Sequence, residues 1–268
     1  RSGQHFVAFD EGRGKWGCVA HAGDVQHRRE IAAALGTRDD HKLAPLPIRR
    51  APCPTPSRKL QLPEMRFPSL RELFDIAERR GLPSIAGLER AARAGMLRCA
   101  TMKDDGETVA AWLLVDSAGI SAQARRLDGK PWQGIGEKKA KTLIGSQAKW
   151  PIGAADIGPR PFVALCEGGP DTLAAWSIAW WHGKSLEIAP VCMTGAGMSI
   201  HADALGFFKG KGIYTFPHRD GDGERAQAIW SAELMQAGAA WVKPFDVAPH
   251  NDLNEWLTAA ARAEGGEL

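Results

Sequence analysis

Tyrosine occurs once in this chain of 268 residues, and cysteine five times, at Cys18, Cys53, Cys99, Cys166 and Cys192. An odd, scattered set of that kind excludes a disulfide framework and suits reduced thiols. No apolar stretch approaches the roughly 20 residues of a membrane span, and no signal-peptide pattern opens the chain. A cytoplasmic protein without a membrane partner is therefore expected. Neither sign of charge is in large excess: the net charge is +3. That balance permits a nucleic-acid partner without arguing for one. Internal repeats are absent, and so is a P-loop, because Lys141-Thr142 in "GEKKAKT" follows Ala140 rather than glycine. No helicase motor is encoded here. What is present is an ordinary core-forming composition, 44% hydrophobic and 24% charged. The chain starts with Arg1 rather than Met and reads as a piece of something longer.

Composition divides the chain. Residues 1–36 read as a strand pair, "HFVAFDEGRGKWGCVA", and then a helix over 22–36 closed by Gly36. Residues 37–68 are charged and full of prolines, as a linker is. Residues 69–158 form a smaller mixed, basic subdomain. In it "SLRELFDIAERRG" predicts a helix from a Ser cap to Gly81, and "SIAGLERAARAG" another that starts on Ser and ends on Gly95. "ETVAAWLLVD" and "GISAQARRLDG" predict two strands of a hairpin. Over 159–268 short apolar strands alternate with helices, which is the α/β pattern of a parallel sheet flanked by helices. Functional groups in such sheets gather at the carboxyl ends of the strands.

Three acidic sites fall at those ends. "FVALCEGGPDTLAAW" puts Glu167 just after a strand and Asp171 at a helix start; "YTFPHRDGDGE" puts Asp220 and Asp222 after a later strand; "FDVAPHNDLNEWL" puts Asp252 and Asn254 after the last. An acid near a helix N-terminus is ordinarily a cap, and D-x-D flanked by glycines is ordinarily a polar turn. Three such positions in one α/β unit favour a divalent-metal site, since hard cations take carboxylate oxygens.

An E-G after a strand, a glycine turn after the next ("TGAGMSI", Gly195 and Gly197) and D-x-D after a third resemble the TOPRIM domain of topoisomerases and primases. "DLNEWL" is similar to the D-x-N-[DE] element of TOPRIM domains in phage and plasmid primases. The resemblance covers about residues 160–257, and His218-Arg219 departs from it by standing where small apolar residues are common. It implies that Asp220 and Asp222 bind Mg²⁺ or Mn²⁺ and that Glu167 is a ligand or proton acceptor, all three being catalytic, with Asp171 and Asp252 as further metal candidates.

"FDEGRGKWGCVAHAGD" resembles the second half of the zinc ribbon in primase–helicases of satellite phages and plasmids, a type found on mobile elements. Cys18 and His21 are then half of a tetrahedral site whose first C-x-x-C would lie before Arg1. Either the ribbon is cut or it has lost its metal, and tight Zn²⁺ binding is not expected from two ligands. The stretch 122–153 carries seven Lys or Arg against two acids, with Trp132 and Trp150 interleaved. It is similar to the part of bacterial-type primases just before TOPRIM that lines the template path. Arg125, Arg126, Lys138, Lys139 and Lys141 would then neutralise phosphates, and Trp132 would stack on unpaired bases.

These readings agree on a primase-like nucleotidyltransferase that makes short primers on single-stranded DNA from nucleoside triphosphates. A replicative helicase on a separate chain or segment is the implied partner. A TOPRIM-type metal-dependent nuclease or a non-catalytic DNA-binding module is the alternative. Placement argues against a topoisomerase, because Tyr214 falls inside a strand expected to be buried, a poor position for a DNA-attacking nucleophile.

Overall fold

Ser69 starts the first helix of the main body as expected. Its hydroxyl accepts from the Glu72 amide, the Glu72 carboxylate accepts from the Ser69 amide, and Gly81 closes the helix in the left-handed region at φ 61°. The computed structural model describes residues 5–10, 13–18, 59–195 and 197–263. It divides into two compact units, Arg1–Thr55 and Pro56–Leu268. In the first unit β1 (His5–Asp10) and β2 (Arg13–Cys18) pair antiparallel, as the expected strand pair requires. The helix expected over 22–36 lies outside the described residues, as does His21.

The second unit begins inside the expected linker. β3 (Met65–Arg66) is the edge of a five-stranded antiparallel sheet that continues with β4 (Leu97–Asp104), β5 (Glu107–Val115), β6 (Ala122–Arg126) and β7 (Lys141–Thr142) in chain order. β4, which the sequence pattern did not reveal, turns into β5 through Asp105-Gly106, both at positive φ (47° and 84°), a hairpin turn of the Asp-Gly kind. Two helices, α1 (Leu70–Arg80) and α2 (Ala86–Arg93), precede β4. The Ser84 hydroxyl accepts from the Ala86 amide, but the residue at the cap position is Ile85.

The parallel sheet follows, with strand order β11-β10-β8-β9. Its strands are β8 (Phe162–Cys166), β9 (Ile188–Cys192), β10 (Gly212–Phe216) and β11 (Trp241–Pro244). The helices are α3 (Gly169–Trp181), the short α4 (Ala202–Leu205), α5 (Gly221–Gln236) and α6 (Leu253–Ala263). One face of this sheet packs on α5 through Val163, Leu165, Ile213, Ala226 and Trp230. The other face shares a core with the antiparallel sheet, in which Leu73, Leu88, Trp112, Leu114, Cys166, Leu173 and Leu257 are all buried. The ranges 69–158 and 159–268 are therefore joined by one continuous apolar interior. Burial on this scale, at about 25 cal/mol per Å², holds them as a single body. Cys99, Cys166 and Cys192 are buried thiols.

At the edge of this body Arg66 makes a two-pronged ion pair with Glu72, at 2.5 and 2.6 Å. With the Ser69 hydrogen bonds it holds the Glu72 carboxyl down to about 2. Glu72→Ala removes pair and cap together and is expected to cost about 1–2 kcal/mol at neutral pH, read by urea unfolding. Because the folded value lies below the unfolded one, this stability is complete above the ordinary Glu range and is lost as pH falls through about 2. The gap between parent and variant should narrow over that interval.

Candidate metal and phosphate site

β8 and β10 lie side by side, with Cys166 and Phe216 as Cα partners at their carboxyl ends, so the residues that follow them emerge together. Glu167 follows β8. Pro217 and His218 follow β10, and the His218 amide donates to Glu167 Oε2 at 3.1 Å. Its ring lies between two acids: Nδ1 is 3.3 Å from Glu167 Oε1, and Nε2 is 3.1 Å from Asp171 Oδ2. Asp171 is 2% exposed, in the first turn of α3. Its second oxygen accepts from the Asn254 amide at the start of α6, at 3.2 Å. Asp252 completes the group. Ligand-type atoms of Asp171, His218 and Asp252 all lie within 4.8 Å of one another.

The electrostatics follow from this crowding. The hydrogen bond to Asp171 raises the His218 imidazole to about 9 despite its partial burial, so it is an imidazolium at neutral pH. Burial pushes the Glu167 and Asp252 carboxyls up from their ordinary values, as desolvation of a charged form must. Two arginines border the cluster from the other subdomain. Arg125 of β6 is held down to about 10 by burial and by the neighbouring Arg80 charge, with Asp171 acting the opposite way. Arg80, at the end of α1, is lowered by burial while Asp171 and Asp252 favour its charge. Among the described residues neither guanidinium sits in an ion pair. The Nε of Arg125 is a buried donor with no partner, and Asn254 Oδ1 is a buried acceptor with none. A groove of about 360 Å³ opens beside His218, between Arg219, Glu224 and Gln227 on one side and Phe245 on the other.

The expected residues thus divide. Glu167, Asp171 and Asp252 meet at the carboxyl edge. Asp220 sits there too, as the N-cap of α5: its Oδ1 accepts from the amides of Asp222 and Gly223 at 3.1 and 2.8 Å. Asp222 is exposed in the first turn and paired with Arg225. The side chain that joins Glu167 to Asp171 is His218. The conformation depends on Gly223, where an added Cβ would run into the His218 carbonyl. The sequence signal for this was the glycine three residues after Asp220, a position packed against the strand end.

The basic strip divides too. Arg125 lies on the sheet face that packs on the turn carrying Asp171, without pairing with it. Arg126, next in the strand, points to the opposite face and is buried in ion pairs with Asp104 and Asp128, each 2.7 Å long, so it is not available to a phosphate. Lys138 and Lys139 are exposed. The Nζ of Lys141 lies 4.9 Å over the Trp132 ring. Trp132 itself is corrected from base-stacking platform to core residue: it is fully buried, and its indole N–H donates to the Ala124 carbonyl. Trp150 is buried as well, bonded to Asp116. Tyr214 is corrected in the other direction. It is 41% exposed, mid-strand, with its ring edge-on to Trp241 at 4.9 Å. Arg80 was missed, because a cation in the last turn of a helix is ordinary dipole complementation.

The donor set fits a divalent cation. Two carboxylates and an imidazole converge, and Asp171, His218 and Asp252 are the residues that would hold one, with Glu167 on the other side of the His218 ring. No protein-family model matches this chain. No curated protein matches it either. Among solved structures it is similar to the crystal structure of the primase fragment of the bacteriophage T7 primase-helicase protein. The identity is 16% and the TM-score 0.47, over 94% of this chain and 86% of that one. It is also similar to a chain in the structure of bacteriophage T7 lagging-strand DNA polymerase interacting with primase domains bound to an RNA/DNA hybrid and dTTP. There the identity is 19% and the TM-score 0.41, over 66% of this chain and 80% of that one.

The two aspartates of the D-x-D have separable jobs in the fold. Asp220→Ala should cost about 1 kcal/mol of stability through the lost cap, and Asp222→Ala less than about 0.5 kcal/mol. Chemical unfolding of both variants measures the difference.

Proposed function

We propose that the chain is a primase-like nucleotidyltransferase that joins nucleotides on a single-stranded DNA template with the help of a divalent cation. One observation carries the reading: Asn254 ties the Arg80 carbonyl to the buried Asp171, and Arg125 shares a sheet face with Trp112, on which the turn bearing Asp171 is seated. A nuclease needs to hold only a strand and a water. A polymerase must also hold a triphosphate, which asks for cations beside the carboxylates. A bound cation would neutralise phosphate charge and favour the attacking hydroxyl. In this reading Arg125 and Arg80 bind phosphate oxygens, for which the fork of a guanidinium is suited. In the same reading Glu167, whose burial raises its affinity for a proton, takes the proton of the primer hydroxyl. The exposed Lys138 and Lys139 extend the cationic surface toward the template.

The test supplies labelled triphosphates and labelled single-stranded template in parallel, with Mg²⁺ or Mn²⁺, and separates products on a denaturing gel. Short triphosphate-dependent oligonucleotides are expected. Template cleavage alone would make the protein a nuclease, and neither product would leave a binding module. Arg125→Ala should lower primer yield by about 10²-fold or more while circular dichroism stays unchanged.

The template surface has its own check. Lys138→Ala and Lys139→Ala together should lower the slope of log affinity against log salt by about 0.7 per lost phosphate contact on single-stranded DNA. An unchanged slope would return both lysines to the solvated surface.

A further inference from the structure

We propose that His218 is a metal ligand, and that the site at the ends of β8 and β10 selects a first-row transition cation such as Mn²⁺ over Mg²⁺. The inference concerns the metal of the site already described. It rests on the primase reading only for what the metal does there, and its binding is testable without nucleotide or template.

The geometry is that of an imidazole presented to an ion by a carboxylate behind it. Glu167 Oε1 stands 3.3 Å from Nδ1, and its Oε2 accepts from the His218 amide. The ring thus turns Nδ1 toward Glu167 and Nε2 toward Asp171. A carboxylate on the far nitrogen is the usual support of a metal-bound histidine. On the Nε2 side stand Asp171 Oδ2 at 3.1 Å and, within 4.8 Å, an oxygen of Asp252. Ligand atoms about 2.1 Å from a shared ion stand about 3 Å apart when they subtend a right angle there, so Nε2 and Oδ2 are already spaced as neighbours in a coordination shell. Asn254 holds Asp171 in place from the other side. Its amide donates to Asp171, its side-chain nitrogen donates to the Arg80 carbonyl at 2.7 Å, and its Oδ1 remains buried without a partner.

The selectivity follows from the donor. Mg²⁺ takes hard oxygens and holds its waters, whereas imidazole nitrogen suits transition cations. An all-carboxylate site offers Mg²⁺ everything it prefers. With nitrogen in place of one oxygen the balance moves toward Mn²⁺.

The experiment uses the whole chain and the metals alone. Calorimetry should give Mn²⁺ binding at least about tenfold tighter than Mg²⁺. Pulsed electron spin resonance of the Mn²⁺ complex should show modulation from a directly bound nitrogen. His218→Asn should abolish that modulation and weaken Mn²⁺ by about 10-fold or more. His218→Asp should bring the two metals to within about threefold by restoring an all-oxygen set. Modulation in the parent does not depend on how either variant folds. Mn²⁺ bound with no nitrogen modulation, or no Mn²⁺ bound, would overturn the proposal. Nitrogen-bound Mn²⁺ in a protein that makes no primers would sustain it and remove only the primase reading.

Discussion

The seating of the first turn of α3 on the antiparallel sheet fixes everything near the site. At Gly169 an added Cβ would stand 3.1 Å from the Trp112 ring and 3.6 Å from Leu114, so only a glycine lets the helix come this close. Trp112 is the cross-strand partner of Arg125, and partners on an antiparallel pair share a face. The contact therefore sets Arg125 beside the turn that carries Glu167 and Asp171. Further along the same helix, Gly87 of α2 lies against the Ser177 backbone, again with no room for a side chain. Two close approaches, one at each end of α3, lock one subdomain to the other. Loosening either would move cations away from acids without touching any of them.

α6 closes the arrangement from the opposite side. Asn254 and Thr258 both bond the Arg80 carbonyl, and the Asn254 amide caps Asp171. The end of α1, the start of α3 and the start of α6 are thus held together by hydrogen bonds that meet at Asn254 and Thr258. Such a network is stiff because removing any member leaves a buried partner unsatisfied. The acids keep their places for structural reasons before any ligand is considered.

Local chemistry was legible in the sequence. The Ser69–Glu72 cap box, the Gly81 stop, the hairpin after Glu107 and the β-α alternation from Phe162 onward are all written in neighbouring residues. Direction was not. Trp132 lies among lysines in sequence but under the sheet in space, because the face of a loop residue is decided by packing with distant strands. Arg125 and Arg126 look equivalent as letters, yet the pleat sends one to the acids and the other to Asp104. Tyr214 reads as core because its neighbours Ile213 and Thr215 are buried, and alternation turns it outward. The D-x-D shows the same limit. Asp220 and Asp222 share a spacing, but a helix starts between them, so one carboxylate folds back on the helix end and the other goes to solvent. Two residues earlier, His218 is still on the strand-end path and meets the acids instead.

Charge balance explains why His218 can occupy that position. Glu167, Asp171 and Asp252 are drawn together with partial loss of water, and Asp220 adds its charge to Glu167 from the cap. Carboxylates brought this close repel, and burial raises the cost of keeping each ionised. Arg125 and Arg80 offset part of this from a distance but pair with none of the acids directly, and the Arg80 charge disfavours that of Arg125. The imidazolium supplies what is missing at short range, bonding Asp171 through Nε2 and standing 3.3 Å from Glu167 through Nδ1. A divalent cation would do the same with twice the charge and would leave the imidazole free to act as a neutral donor. The acids are thus arranged around a positive charge in either state. Removing the ring without supplying an ion would leave buried carboxylates facing one another with nothing between them.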